Sequence, residues 1–212
     1  MSEPASLRRS LPPVYAAAAL IVGVVLALSQ YRLGWETTIL APQTLHDAAQ
    51  AIAVDLPPFL ARVGLFMDQP ASDVAATLAA VPLELLQFHG AEDDAYCAQF
   101  GRPFLKTLPM ASLADVAGEM ARFPRAAGFV LDAHARGESG GSGRVFDWSR
   151  TPSASVRPLV LAGGLVPANV HEAVNKVRPY AVDVASGVEA SPGIKDHAKM
   201  HAFVAEVRRA DG

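Results

Sequence analysis

Six times between residues 60 and 184, a short continuous apolar run ends in polar or glycine residues and then gives way to a stretch with helical spacing. The runs are 60–66, 83–88, 104–108, 128–131, 158–162 and 181–184; the helical patterns of Ala, Leu, Val and Met fall at 72–80, 92–100, 113–123, 167–177 and 194–208. Strands that are apolar throughout, without alternation, are strands covered on both faces, and this is the condition of a parallel sheet. Alternation of such strands with helices predicts βα units. Ser72-Asp73 and Ala91-Glu92-Asp93-Asp94 place acceptors and negative charge at predicted helix starts, and Pro167 suits a first helical turn.

The length of 212 residues suits one domain and just accommodates a (β/α)8 TIM barrel, which starts at roughly 200 residues. Two more strands from the residues before 56 would bring the count to eight; without them an open doubly wound sheet is the competing architecture. The predicted fold is therefore α/β, a TIM barrel incomplete or irregular in its first βα units. A single barrel domain at 31–212 follows an atypical segment at 1–30. Within that segment, Arg8 and Arg9 precede an uncharged apolar run at residues 14–28. The run has three readings: a short membrane span, an export signal ending near Ala27-Leu28-Ser29, or a helix leading into a buried strand at 20–28.

A net charge of −3 offers no general attraction to nucleic acid or anionic lipid, so phosphate binding must come from a local site. Hydrophobic residues at 51% supply one large core. The single cysteine, Cys97, excludes an internal disulfide and a thiolate metal cluster, and its apolar helical setting predicts a buried structural thiol.

In a barrel the chemistry lies where strands end. Gly163-Gly164 follows the fifth run and Ser186-Gly187 the sixth, and paired glycine turns let backbone N–H groups approach a phosphate dianion without a β-carbon in the way. Gly163, Gly164, Ser186 and Gly187 are thus the predicted phosphate site. Asp132 ends the fourth run as a candidate general acid or base, its proton affinity expected to rise with burial, and residues 137–143 form a glycine-rich loop able to close as a lid. Gln87 and His89 end the second run, and Asp183 ends the sixth. No second His or carboxylate falls at a metal-ligand spacing around His89, and His197 and His201 decorate the polar face of the last helix, so no metal is predicted.

Gln87-Phe88-His89-Gly90, Leu131-Asp132-Ala133, Gly140-Gly141-Ser142-Gly143-Arg144-Val145-Phe146-Asp147-Trp148, Leu161-Ala162-Gly163-Gly164-Leu165 and Val182-Asp183-Val184-Ala185-Ser186-Gly187-Val188-Glu189 together resemble the phosphoribosylanthranilate isomerase family in order and spacing, over about three quarters of the chain from residue 56. The resemblance implies a TIM barrel that rearranges a phosphorylated sugar–anthranilate substrate in tryptophan biosynthesis by Amadori chemistry, without cofactor or metal. It implies that Asp132 protonates the furanose oxygen, that Gln87, His89 and Asp183 contact substrate, and that the two glycine turns hold its phosphate. It also implies a cytoplasmic monomer or homodimer with no nucleic-acid partner; an anchored or exported form through residues 14–28 is the alternative. In the family a first-strand cysteine removes the sugar-carbon proton and an arginine in a Ser-Pro-Arg motif binds the anthranilate carboxylate. Here no cysteine precedes Cys97, and Ala41-Pro42-Gln43 is the best counterpart of the arginine motif. A missing general base typically costs about 10² to 10⁴ in rate, so weak or absent catalysis is expected, with a non-catalytic phosphosugar-binding barrel as the alternative. A different phosphosugar barrel, such as indole-glycerol-phosphate synthase or a pentose-phosphate epimerase, would need further Lys or Glu at the strand ends beyond Lys106.

Overall fold

A computed structural model describes residues 61–134, 145–152, 155–191 and 194–211. The readings of residues 14–28, of the 1–30 segment, of Ala41-Pro42-Gln43 and of the 137–143 lid lie outside the described residues.

Each predicted apolar run forms a strand. β1 (Val63–Phe66), β2 (Leu85–Phe88), β3 (Phe104–Pro109), β4 (Gly128–Asp132), β5 (Leu159–Leu161) and β6 (Ala181–Val182) make one six-stranded sheet. All five pairings are parallel and the strands lie in chain order. A doubly wound sheet reverses direction at a switch point. These six strands never do, so they form a barrel wall.

Helices α1 (Ala71–Ala80), α2 (Asp94–Ala98), α3 (Val116–Ala121), α4 (Val170–Val177) and α5 (His197–Asp211) complete the units. Their starts show which capping signals acted. Asp93 caps α2 by accepting the Tyr96 N–H at 2.7 Å, while Glu92 turns away to pair with Lys106 between sheet and helices. Ser72 and Asp73 do not cap α1; its N-cap is Pro70, and Asp73 instead places negative charge in the first turn. Pro167 does not open α4, because Asn169 ties residues 164–166 into a turn, accepting from Val166 N–H at 2.8 Å and donating to the Gly164 carbonyl at 3.0 Å. The predicted last helix begins three residues late. Ile194–Lys195 pairs as β8 with β7 (Glu189–Ser191), and Asp196 starts the helix by accepting from the Ala198 and Lys199 N–H groups.

The sheet has two covered faces. Leu105, Val130, Val160, Ala162 and Ala181, with Leu85 against them, form the interior cluster, and the alternate residues pack outward against the helices. On that outer side Phe88 is fully buried, its ring about 6 Å from those of Phe66, Tyr96, Phe100 and Phe104. Cys97 is buried in the same layer, as expected, and desolvation pushes its thiol up to about 12.

Replacing Phe88 with Ala removes the ring that four aromatic neighbours share. The unfolding free energy measured by chemical denaturation should fall by about 3–5 kcal/mol; a loss below about 1 kcal/mol would show that this cluster is not a keystone of the outer layer.

Candidate active site

Strand register assembles the site. β4 pairs Leu131 with Leu161 and β5 pairs Leu161 with Val182, so one step further along Asp132 and Asp183 flank Ala162. The Ala162 N–H donates to the Leu131 carbonyl and the Asp183 N–H to the Leu161 carbonyl, which carries the pairing to this level. Residues in register on parallel strands point the same way. Asp132 follows Val130 by two residues, Asp183 follows Ala181 by two, and all share the interior face with Ala162. The small Ala162 side chain leaves space between two carboxylates.

The glycine turns meet beside them. Gly163 and Gly164 take φ of +79° and +67°, left-handed conformations that favour glycine. A Cβ on Gly163 would overlap the Ala133 backbone and come within 2.8 Å of Asp132 Oδ1, so the carboxylate lies against this turn. A Cβ on Gly187 would overlap the carbonyl oxygen of Leu165, so the second turn packs on the first. Ser186 is exposed and begins a 3₁₀ turn at Ser186–Val188. Lys195 Nζ lies near, held at 2.8 Å by the Ala185 carbonyl and at 2.8 Å by Glu189.

The two carboxylates differ in proton affinity. Burial acts to raise that of Asp132, but the adjoining His134, 2.8 Å from Nδ1 to Oδ1, with help from His89, outweighs it and leaves the value below the usual one. This overturns the expectation that burial would raise it. Asp183 shows the effect instead: desolvation, reinforced by the Asp132 charge, pushes it up to about 6.

Gln87 faces the interior from β2, donating to Thr107 Oγ1 at 3.2 Å. His89 stacks on His134, ring centroids 4.1 Å apart at an angle of 16°. Burial, then the neighbouring His134, hold the His89 imidazole down to about 4, so it is neutral near pH 7. The structure places the predicted residues Asp132, His89, Gln87 and Asp183 at or next to strand ends. His134 joins Asp132 and His89 without a sequence signal, because a lone His two residues beyond an Asp carries no spacing.

His89, Asp132 and His134 place potential metal-ligating atoms within 4.8 Å of one another, which spacing along the chain could not foresee. The geometry does not suit an ion. Imidazole lone pairs lie in the ring plane, and two rings stacked face to face direct theirs side by side, so an ion about 2.0–2.1 Å from one nitrogen would lie well out of the other ring's plane. Among the described residues no helix is long and apolar enough to cross a membrane.

The model of the N-(5'-phosphoribosyl)anthranilate (PRA) isomerase family matches residues 29–206, reaching upstream of residue 56, where the resemblance in the sequence begins. An N-(5'-phosphoribosyl)anthranilate isomerase of Acidithiobacillus ferrooxidans is 53% identical over 170 residues, 79% of this chain and 82% of that protein. Among solved structures, the phosphoribosyl anthranilate isomerase of Thermotoga maritima superposes with a TM-score of 0.69 at 36% identity, covering 80% of this chain and 82% of that one. A second isomerase structure, in complex with reduced 1-(o-carboxyphenylamino)-1-deoxyribulose 5-phosphate, gives a TM-score of 0.61 at 31% identity over 80% of both chains. These relatives lend no support to the expectation of weak or absent catalysis, nor to the alternative of a non-catalytic binder.

Asp183 has a folded value near 6 against an ordinary 3.8. A raised value means that the protonated form favours the fold; this contribution is complete below about pH 3.8 and is lost as pH rises through about 6. Asp183→Asn should therefore be more stable than the parent above pH 6, with the gap in denaturation midpoint closing towards pH 4. A gap that does not depend on pH would mean that Asp183 is not held in this state.

Proposed function

The chain belongs to the N-(5'-phosphoribosyl)anthranilate isomerase family, and from this we propose that Asp132, the two glycine turns, Gln87, His89 and Asp183 carry the isomerase reaction in tryptophan biosynthesis. The substrate is a sugar phosphate joined to anthranilate. The observation that carries the assignment is the contact between the turns, Gly187 against Leu165, with Asp132 lying against Gly163.

The phosphate dianion binds at the N–H groups of the two turns, with the Ser186 hydroxyl adding a donor. Its arrival places negative charge beside Asp132. A like charge favours protonation of a carboxylate, so Asp132, ionised in the free site, becomes able to hold a proton when substrate is bound. Asp132 gives that proton to the furanose ring oxygen as the bond between this oxygen and C1 breaks, and the anthranilate nitrogen supplies its lone pair to form the Schiff base. The protonated Schiff base then loses its C2 proton to a general base to give the enolamine, which takes a proton at C1 and releases one from its 2-hydroxyl to become the aminoketose, so the protons given and taken cancel over the cycle. Atoms and charge balance without an added reactant, so the reaction calls for neither cofactor nor metal. Gln87 and the neutral His89 offer hydrogen bonds to sugar oxygens from the wall, and Asp183 faces Asp132 across Ala162.

Cys97 takes no part. It lies outside the sheet in α2 with its thiol pushed up to about 12. The protein is read as cytoplasmic, a monomer or homodimer, without a nucleic-acid partner.

Complementation of a tryptophan auxotroph lacking the isomerase tests the function directly: the parent chain should restore growth, and Asp132→Asn should abolish it. With purified protein, Asp132→Asn should lower kcat by about 10² to 10⁴. Soluble, folded parent protein that neither complements nor turns over the substrate would refute the assignment.

A further inference from the structure

Beneath the candidate active site lies an ion pair that the reaction itself does not use. Lys106 stands in β3 between Leu105 and Thr107, on the outer face of the sheet, near the Phe123 ring. Its partner Glu92 lies beyond β2, in the loop ahead of α2, and the two side chains are only 4% and 3% exposed. Burying two charges is costly unless their polar atoms are used, and here they bond to the loops after β1 and β2. Lys106 Nζ donates to the Gly90 carbonyl at 2.6 Å and to Glu92 Oε2 at 2.8 Å. Glu92 Oε1 accepts the Asp68 N–H at 2.7 Å, and Asp68 Oδ1 accepts the Ala91 N–H at 2.6 Å. Asp68 holds a left-handed φ of +58°, and its carboxylate fills the space that a side chain on Gly90 would need.

β3 is thereby tied to the loops that follow β1 and β2, and the segment clamped between them begins at His89. The His89 N–H is itself fixed to the Phe66 carbonyl at 2.8 Å, and its ring lies on His134 beside Asp132. Among the described residues, both ring nitrogens of His89 are buried without a hydrogen-bond partner, so no hydrogen bond from a described side chain fixes the ring. Its direction depends on the backbone beneath it.

We propose that Glu92 and Lys106 are positioning residues of the reaction, whose buried ion pair fixes the 89–92 loop and thereby holds His89 against His134 at Asp132. The proposal rests on the isomerase reading of the site. A misplacement of about 1 Å in a wall residue can cost about 100-fold in rate, so the pair acts on turnover as well as on folding.

The test separates those two effects. Glu92→Gln and Lys106→Met each leave a buried charge or dipole unmatched and should lower Tm. The double variant Glu92→Leu/Lys106→Met replaces the pair with apolar groups and should regain most of that Tm. Its kcat should nevertheless remain about 10- to 100-fold below the parent, with KM changed by less than about threefold because the phosphate turns are untouched. The His89 ring resonances in NMR, assigned by their loss in His89→Asn, should be displaced in the double variant. Parent-like kcat together with unmoved His89 resonances at restored Tm would overturn the proposal. Should the double variant not fold, Lys106→Arg decides instead: it must recover part of the kcat lost in Lys106→Met, and equal loss in both overturns the positioning role. If the parent itself does not isomerise the substrate, the functional reading fails. The resonances alone then judge the pair, displacement supporting it and constancy refuting it.

Discussion

At Gly187 the backbone after β6 presses on the backbone after β5, so closely that no β-carbon fits between it and the Leu165 carbonyl. This contact brings the two glycine turns together at the proposed phosphate site. Strand order makes it possible, since β5 and β6 are neighbours in a parallel sheet and deliver their following loops to the same end. The same register places Asp132 and Asp183 across Ala162. In the proposed mechanism, ligand binding and proton transfer therefore depend on one level of one sheet.

Much of this was legible in the sequence, for reasons that can be stated. All six strands were visible because covered parallel strands need unbroken apolar runs, and the strand ends were visible because those runs stop at Gly163, Asp132, His89 and Asp183. The glycine pairs were legible because only a left-handed turn or a close backbone approach asks for them. Less legible were features decided by partners distant in the chain. Glu92 looked like a helix-start acceptor beside Asp93, yet Lys106, fourteen residues on, claims it. Ile194 looked helical until the β7 pairing and the Asp196 cap moved the start of α5. The His134 contact that reverses the proton affinity of Asp132 depends on where a loop turns, and periodicity contains no information about that.

The titrating groups of the site are held in different states. One carboxylate is ionised more readily than usual, its facing partner holds its proton to about pH 6, and the His89 imidazole between the β2 loop and His134 stays neutral. Keeping Asp183 desolvated costs stability at neutral pH, a tension expected where function and folding compete for the same buried groups. Below the site the charges are matched: Lys106, Glu92 and Asp68 bond one another and the loop backbone. A layer of mutually bonded charges thus underlies the site.

The most direct measurement is a crystal structure of the protein with 1-(o-carboxyphenylamino)-1-deoxyribulose 5-phosphate bound. The account predicts the phosphate group within hydrogen-bond reach, about 2.7–3.2 Å, of backbone N–H groups from both the Gly163-Gly164 and the Ser186-Gly187 turns, with the Asp132 carboxyl beside the sugar. A phosphate held elsewhere, or bound by one turn while Asp132 faces away from the sugar, would contradict it.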